Sequence, residues 1–182
     1  MSEKENMLIN TCNFQGLKPI MMDLPYPPTQ VLERNLTYAD LLSHDYAGAV
    51  SEMTAITQYI NNENRLSCDK CPLAKVLIGI AMAEMIHLNK LGELIFLLGG
   101  DIDYIAIQQN GRGKMWTPQY LSIQDNAKDM LSADIESEKA AINQYRSHIK
   151  LINDKHVNAV LARIIRDEEY HILILQAMMS DL

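Results

Sequence analysis

Six residues of this chain have the types and spacing of a metal site. Glu84 and His87 stand three apart, and so do Glu168 and His171. Residues three apart share a helical face, so one carboxylate and one imidazole can reach a single cation together. Glu52 and Glu138 sit in matching runs, Ser51-Glu52-Met53-Thr54-Ala55-Ile56-Thr57-Gln58-Tyr59 and Ser137-Glu138-Lys139-Ala140-Ala141-Ile142-Asn143-Gln144-Tyr145. The step from lone Glu to paired Glu is 32 positions in the first half (52 to 84) and 30 in the second (138 to 168). The chain therefore reads as a duplicated helical hairpin. Two Glu-x-x-His pairs plus one Glu from each of two further helices form a known di-metal carboxylate arrangement.

These groups fall on apolar faces. Glu84 and His87 share a helical face with Leu77, Ile80, Leu88, Leu91 and Ile95; Glu168 and His171 share one with Leu161, Ile164, Ile165, Ile172 and Leu175. Four carboxylates in such an interior cost several kcal/mol each on the order of ion burial, and they repel one another. No Lys or Arg stands at a matching inward position. Two divalent cations would balance four carboxylates beside two neutral imidazoles. Mixed imidazole and carboxylate donors suit iron or manganese better than magnesium or calcium. Tyr59 and Tyr145, each seven residues after the lone Glu, lie on the same face and can bond a ligand carboxylate or carry an electron. Asp167 is placed to hold the ring N–H of His87 from across the bundle. Its counterpart is Ala83, so His171 needs another partner.

Four helical patterns must position this set. They are expected over about Thr37 to Asn62, with Thr37 as N-cap; Pro72 to the Gly99-Gly100 pair; Ile123 to Ile152; and Asp154 to Met179. Short links within each pair make antiparallel hairpins, and about 25 residues from Gly100 to Gln124 are free to cross from one end of the bundle to the other. Residues 1–36, with Pro19, Pro25, Pro27 and Pro28, read as an irregular leader that Ile20, Met21, Met22 and Leu24 can anchor; residues 37–182 form the bundle.

The 182 residues are one ordinary domain, and 48% are hydrophobic. A formal charge of -7 argues against a nucleic-acid partner, which needs a basic face. Met1 to Asn6 has no apolar signal core, and the apolar run Leu73 to Leu98 carries Lys75, Glu84, His87, Lys90 and Glu93, too many charges for a lone membrane span. Three cysteines do not make a disulfide scaffold, so a cytoplasmic setting is expected.

On these motifs the chain resembles the ferritin-like superfamily, in its bacterioferritin and rubrerythrin branch, over about residues 38 to 180. The run Glu52 to Tyr59, the pair in Glu84-Met85-Ile86-His87, the stretch from Met130-Leu131 through Asp134 to Glu138, and Asp167-Glu168-Glu169-Tyr170-His171-Ile172 are similar to the four helices of bacterioferritins in order. The resemblance implies an all-α fold, an antiparallel four-helix bundle of two helical hairpins joined by a long crossover. It implies two iron or two manganese ions on Glu52, Glu84, His87, Glu138, Glu168 and His171, with Glu84 and Glu168 bridging. It implies an oxidoreductase meeting hydrogen peroxide or dioxygen, of rubrerythrin-like peroxidase or ferroxidase type with an external electron donor. Alternatives are bacterioferritin-type iron storage and manganese-catalase-like disproportionation. Bacterioferritins bind haem through the Met after the second-helix Glu, here Met85. Rubrerythrins carry a further Glu where Ala141 stands, and a C-terminal iron–sulfur domain that this chain does not show. The crossover, with Gly99-Gly100-Asp101 and Trp116-Thr117-Pro118-Gln119-Tyr120, resembles stand-alone rubrerythrin and manganese-catalase relatives.

Other features have plainer readings. Cys68-Asp69-Lys70-Cys71 is a pair in a loop, a redox dithiol, or half of a metal clip. His44, His148 and His156 read as surface or core histidines, and Gly111-Arg112-Gly113 as a turn. The helix from Pro72 is apolar nearly all round, with Ile78, Met82, Met85, Ile86 and Phe96 off the ligand face, so a homodimer or larger assembly is expected.

Overall fold

The computed structural model describes residues 12–108 and 110–182. Met1 to Asn6 lies outside them. Five α-helices, a small hairpin and one 3-10 turn make up the described chain: α1 (Leu36–Ala47), α2 (Glu52–Leu66), α3 (Cys71–Leu98), β1 (Ile105–Ile107), β2 (Gly113–Met115), the turn Pro118–Tyr120, α4 (Ala127–Leu151) and α5 (Lys155–Ser180). α1 and α2 together occupy the first place in a four-helix bundle. α2 packs on α3, and α4 packs on α5.

The first expected helix is in fact broken. Gly48 ends α1, and a Cβ there would meet the carbonyl oxygen of His44 at 2.5 Å. The break is stitched by hydroxyls: Ser51 Oγ (2.8 Å) and Thr54 Oγ1 (3.0 Å) both donate to the Gly48 carbonyl. Ser51 also caps α2, accepting from Thr54 N. Glu52 thus opens a helix, where its repeat partner Glu138 sits mid-helix. Asn35, not Thr37, is the N-cap of α1, with its side chain on Tyr38 N at 3.1 Å. α4 starts at Ala127 under an Asn126 cap, because the preceding residues are irregular and tied to α2, Ser122 by Gln58 and the Gln124 carbonyl by Arg65. Gly99, left-handed at φ 94°, closes α3 as its position predicts.

Apolar packing falls into two clusters with the polar groups between them. One holds Leu42, Leu91, Leu94, Leu98, Val160 and Leu161; the other holds Leu73, Leu77, Ile80, Leu131 and Leu175. α3 is long and apolar enough to cross a membrane by length and composition, yet half of its most apolar window is buried in the bundle. The crossover carries β1 and β2 paired antiparallel, with Gly111 (φ 75°) in the turn, so Gly111-Arg112-Gly113 closes a hairpin. His44 ties this crossover down by bonding the Ile107 carbonyl at 2.6 Å.

Residues 18–32 form a strap across α3 and α5. Ile20 N donates to the Gly79 carbonyl at 2.9 Å; Gly79 permits this approach, since a Cβ there would lie 2.8 Å from the Ile20 side chain. Arg163 donates to the carbonyls of Met22 (2.8 Å) and Leu24 (2.9 Å), and Leu32 N to Asp154 Oδ2 (2.7 Å). The segment leading into the strap is stapled by a Cys12–Cys71 disulfide, Cα to Cα 5.3 Å. This corrects the pairing suggested by Cys68-Asp69-Lys70-Cys71: Cys71 starts α3 facing the strap, and Cys68 is free and exposed. The bridge spans 59 residues. Closing so long a loop in the unfolded chain makes it worth up to about 4 kcal/mol. Cys12→Ser, measured against the oxidised wild type in urea, is expected to lower stability by a few kcal/mol; an unchanged midpoint would count against the staple.

Candidate metal centre

Between the two apolar clusters, six side chains converge from four helices. Glu52 (α2), Glu84 and His87 (α3), and Glu168 (α5) form one set; Glu84, Glu138 (α4), Glu168 and His171 (α5) form the other. Within each set one donor atom from each residue lies within 4.8 Å of all the others. Glu84 and Glu168 belong to both. All six are buried. His87 Nδ1 stands 2.7 Å from Glu84 Oε2, 3.3 Å from Glu168 Oε1 and 3.6 Å from Glu52 Oε2. His171 Nδ1 stands 3.0 Å from Glu168 Oε2, 3.1 Å from Glu84 Oε1 and 3.5 Å from Glu138 Oε1. The two halves of the repeat thus build two half-sites that share their middle carboxylates.

The outer nitrogens of both rings are held. His87 Nε2 meets Asp167 Oδ2 at 3.1 Å, and His171 Nε2 meets the Ile20 carbonyl at 2.8 Å. A carbonyl only accepts, so His171 carries its proton on Nε2 and turns the Nδ1 lone pair inward. The missing partner of His171 is therefore backbone from the strap. Asp167 is itself fixed by Met22 N (2.7 Å), Tyr26 OH (2.8 Å) and Arg163 Nη1 (2.6 Å). Tyr26 and Arg163 carry no motif, and sequence spacing gave no signal for them. Arg163 is an inward cation, but it is spent on Asp167 rather than on the four Glu. The tyrosines cross over: Tyr59 donates to Glu138 Oε1 and Tyr145 to Glu52 Oε1, each serving the other half's lone Glu.

The residues fit a cation pair. Glu84 Oε1, Glu168 Oε2 and His171 Nδ1 are buried without a hydrogen-bond partner, and all three point into the shared centre. Without a cation the groups can balance only through protons. Burial and the neighbouring Glu168 and Glu84 push Glu138 up to about 8. Burial, then Glu84 and Glu168, raise Glu52 well above the carboxylate range. Burial also acts on Glu84, but His87 and His171 outweigh it and hold its carboxyl low. Burial opposes charge on both imidazoles, yet the facing carboxylates raise both well above 6.5.

A pH dependence follows. Folded Glu138 keeps its proton up to about pH 8, whereas the unfolded chain gives it up near 4.5. The folded form binds more protons in that window, so the metal-free protein loses stability as pH rises through it. Cations must displace those protons, so loading tightens in the same direction. Melting of metal-free protein at pH 5 and pH 8, with manganese titration at pH 6 and pH 8, is expected to show the two opposite trends.

On the side away from the strap, between α2 and α4, a cavity of about 270 Å³ reaches the centre. Glu52, Glu84, Glu138 and Glu168 line its floor, and Gln58 and Gln144 line its wall. Met85 lies elsewhere, 44% exposed on the outer face of α3, in a groove with Leu88 and Phe96. His148 is no ligand of the centre; it pairs with Asp45 at 2.7 Å.

Residues 49–182 match the ferritin-like domain family. The chain belongs to that ferritin-like family. A protein named "Probable manganese catalase" from Clostridium acetobutylicum is 26% identical over 159 residues, covering 78% of this chain and 70% of that one. Among solved structures, wild-type KatB, a manganese catalase from Anabaena, superposes with a TM-score of 0.75 at 24% identity, covering 88% of this chain and 78% of its own. A bacterioferritin from Rhodobacter capsulatus superposes with a TM-score of 0.66 at 22% identity, covering 82% and 87%. This ferritin-like protein therefore shares its bundle with proteins of both kinds.

Proposed function

We propose that this ferritin-like protein is a di-metal oxidoreductase that disproportionates hydrogen peroxide, with manganese as the first choice of metal and iron as the second. One observation carries the reading: six buried donors in two sets that share Glu84 and Glu168, with an open cavity above them. The likeness to manganese catalases supports it. Ala141 supports it over a rubrerythrin-like peroxidase, because it lines the cavity where a further Glu would narrow the space. Disproportionation also needs no external donor: two hydrogen peroxide molecules give two water molecules and one dioxygen, one peroxide reducing what the other oxidises.

In this reading Glu52 and His87 would hold one ion and Glu138 and His171 the other, with Glu84 and Glu168 available to both. Bound there, a redox-active pair would supply the store for the two electrons exchanged between peroxides. The chain supplies the rest. Tyr59 and Tyr145 fix the rotamers of Glu138 and Glu52. Asp167 and the Ile20 carbonyl keep both Nδ1 atoms aimed inward. The apolar clusters exclude water from above and below, and the cavity admits a small neutral oxidant. We infer further that exposed Met85, Phe96 and Leu97 on α3 are covered in a homodimer or larger assembly. The compartment is inferred to be cytoplasmic; under reducing conditions Cys12 and Cys71 stand there as adjacent thiols.

The test is elemental analysis of the purified protein, then peroxide consumption and dioxygen release after loading with manganese or iron. Turnover by either form without added reductant supports the reading. Oxidation of ferrous iron with no dioxygen release, on particles of hollow-shell size, would move the assignment to iron storage.

A further inference from the structure

Asp134 sits in α4 one turn before Glu138, is 1% exposed, and has no ion-pair partner among the described residues. Both its oxygens accept from one nitrogen, Asn62 Nδ2, at 3.0 Å each. Asn62 is itself fixed: its Oδ1 accepts from Gln58 Nε2 at 3.1 Å. Gln58 grips the backbone of Ser122 with both ends of its amide, Nε2 to O at 2.9 Å and Oε1 from N at 2.7 Å. Asp134 also lines the cavity that holds Glu138 and Tyr59.

The other half sets a comparable group with different partners. Gln144, just before Tyr145 as Gln58 is just before Tyr59, bonds Asp45 Oδ1 at 2.8 Å. His148, three after Tyr145 as Asn62 is three after Tyr59, bonds Asp45 Oδ2 at 2.7 Å. Each half therefore sets a buried Asp beside the cavity. Asp45 has an imidazole to balance it; Asp134 has only an amide. Titratable groups facing Asp134 are Tyr59 from α2 and Glu138 from its own helix, with Tyr120 of the crossover and Asp45, Glu52, Glu84, Glu136 and Glu168 around the same cavity. These cavity-lining groups are all acids, and the ion pairs of His87 and His171 run to the four Glu and Asp167, so none supplies Asp134 with a paired counter-charge. Burial pushes its carboxyl up to about 7, against the pull of Asn62.

We propose that Asp134 is the proton station of the cavity, giving a proton to peroxide oxygen as the O–O bond breaks and regaining one when a second peroxide is oxidised. This rests on the peroxide reading above. In the first half, hydrogen peroxide, two electrons from the metal pair and two protons give two water molecules; one proton comes from Asp134 and the other from solvent. In the second half, hydrogen peroxide gives dioxygen, two electrons to the metal pair and two protons; one returns to Asp134 and the other to solvent. A group that must both donate and accept near neutrality works best with a pKa near the working pH.

The experiment uses the full chain loaded with manganese. Asp134→Asn keeps the volume and an acceptor for Asn62. Expected are unchanged metal content, kcat lower by about 100-fold with KM unchanged, loss of one limb of the wild-type pH profile, and partial rescue by small weak acids such as acetic acid. A buried carboxyl infrared band that titrates in the wild type should be missing from the variant. Asn62→Ala, which removes the hydrogen bond favouring the ionised form, should move the limb to higher pH. A wild-type kcat and pH profile in Asp134→Asn, or an unmoved limb in Asn62→Ala, overturns the proton station and leaves the peroxide reading standing. A wild type that consumes no peroxide with either metal overturns both.

Discussion

Glu84→Ala is expected to empty both cation positions, whereas Glu52→Ala empties one. Glu84 faces His87 Nδ1 with one oxygen at 2.7 Å and His171 Nδ1 with the other at 3.1 Å. Removing it deletes a donor from both sets, and Glu52 belongs to a single set. Bound metal stabilises a folded protein by about 2.7 kcal/mol when the free ion is 100-fold above its dissociation constant. That gain should vanish in Glu84→Ala and persist in part in Glu52→Ala. The metal-free fold should survive the change, because Glu168 still faces both imidazoles, at 3.3 Å from His87 Nδ1 and 3.0 Å from His171 Nδ1. Elemental analysis and melting with and without manganese measure both effects. Two ions retained by Glu84→Ala would contradict the shared-carboxylate arrangement.

Asp167→Ala is the second large effect, and it acts through the strap. Asp167 is fully buried and collects Arg163, His87, Met22 N and Tyr26. Burial works against its charge, but His87 and Arg163 prevail and hold it at about 2. Its removal leaves Arg163, 6% exposed, without a counter-charge. Breaking a buried pair in this way costs about 3–5 kcal/mol. The loss of a group that orients a ligand imidazole costs about 10- to 100-fold in metal affinity. Amide exchange should quicken over residues 18–26 in particular, since two of Asp167's four partners lie there. Exchange no faster there than elsewhere would show that the strap is held by its other bonds alone.

The sequence made the bundle legible because the chemistry repeats. Ser-Glu at 51 and 137 and Glu-x-x-His at 84 and 168 announce four helices and a common interior, and the six donors do meet. What stayed hidden depended on contacts without period. The break at Gly48 turns on a single close approach to the His44 carbonyl, inside a stretch whose composition reads as helix. Cys71 lies beside Cys68 in sequence but beside Cys12 in space. Tyr26 and the Ile20 carbonyl reach the centre from an irregular, Pro-containing segment, and a backbone oxygen leaves no trace in residue type. Asn62 and His148 could have been found, since each falls three residues after its tyrosine; the change from Asn to His concealed the equivalence.

The strap has a consequence for biosynthesis. Met22 bonds Asp167 across 145 positions, and Ile20 bonds His171 across 151. The strap can meet Gly79 of α3 early, but its bonds to α5 cannot form until nearly the last helix has left the ribosome. Until then His87 lacks Asp167, its outward anchor, and half-made chains lack Glu168 and His171 of the donor set. The donor set is in this way complete only once α5 has been made.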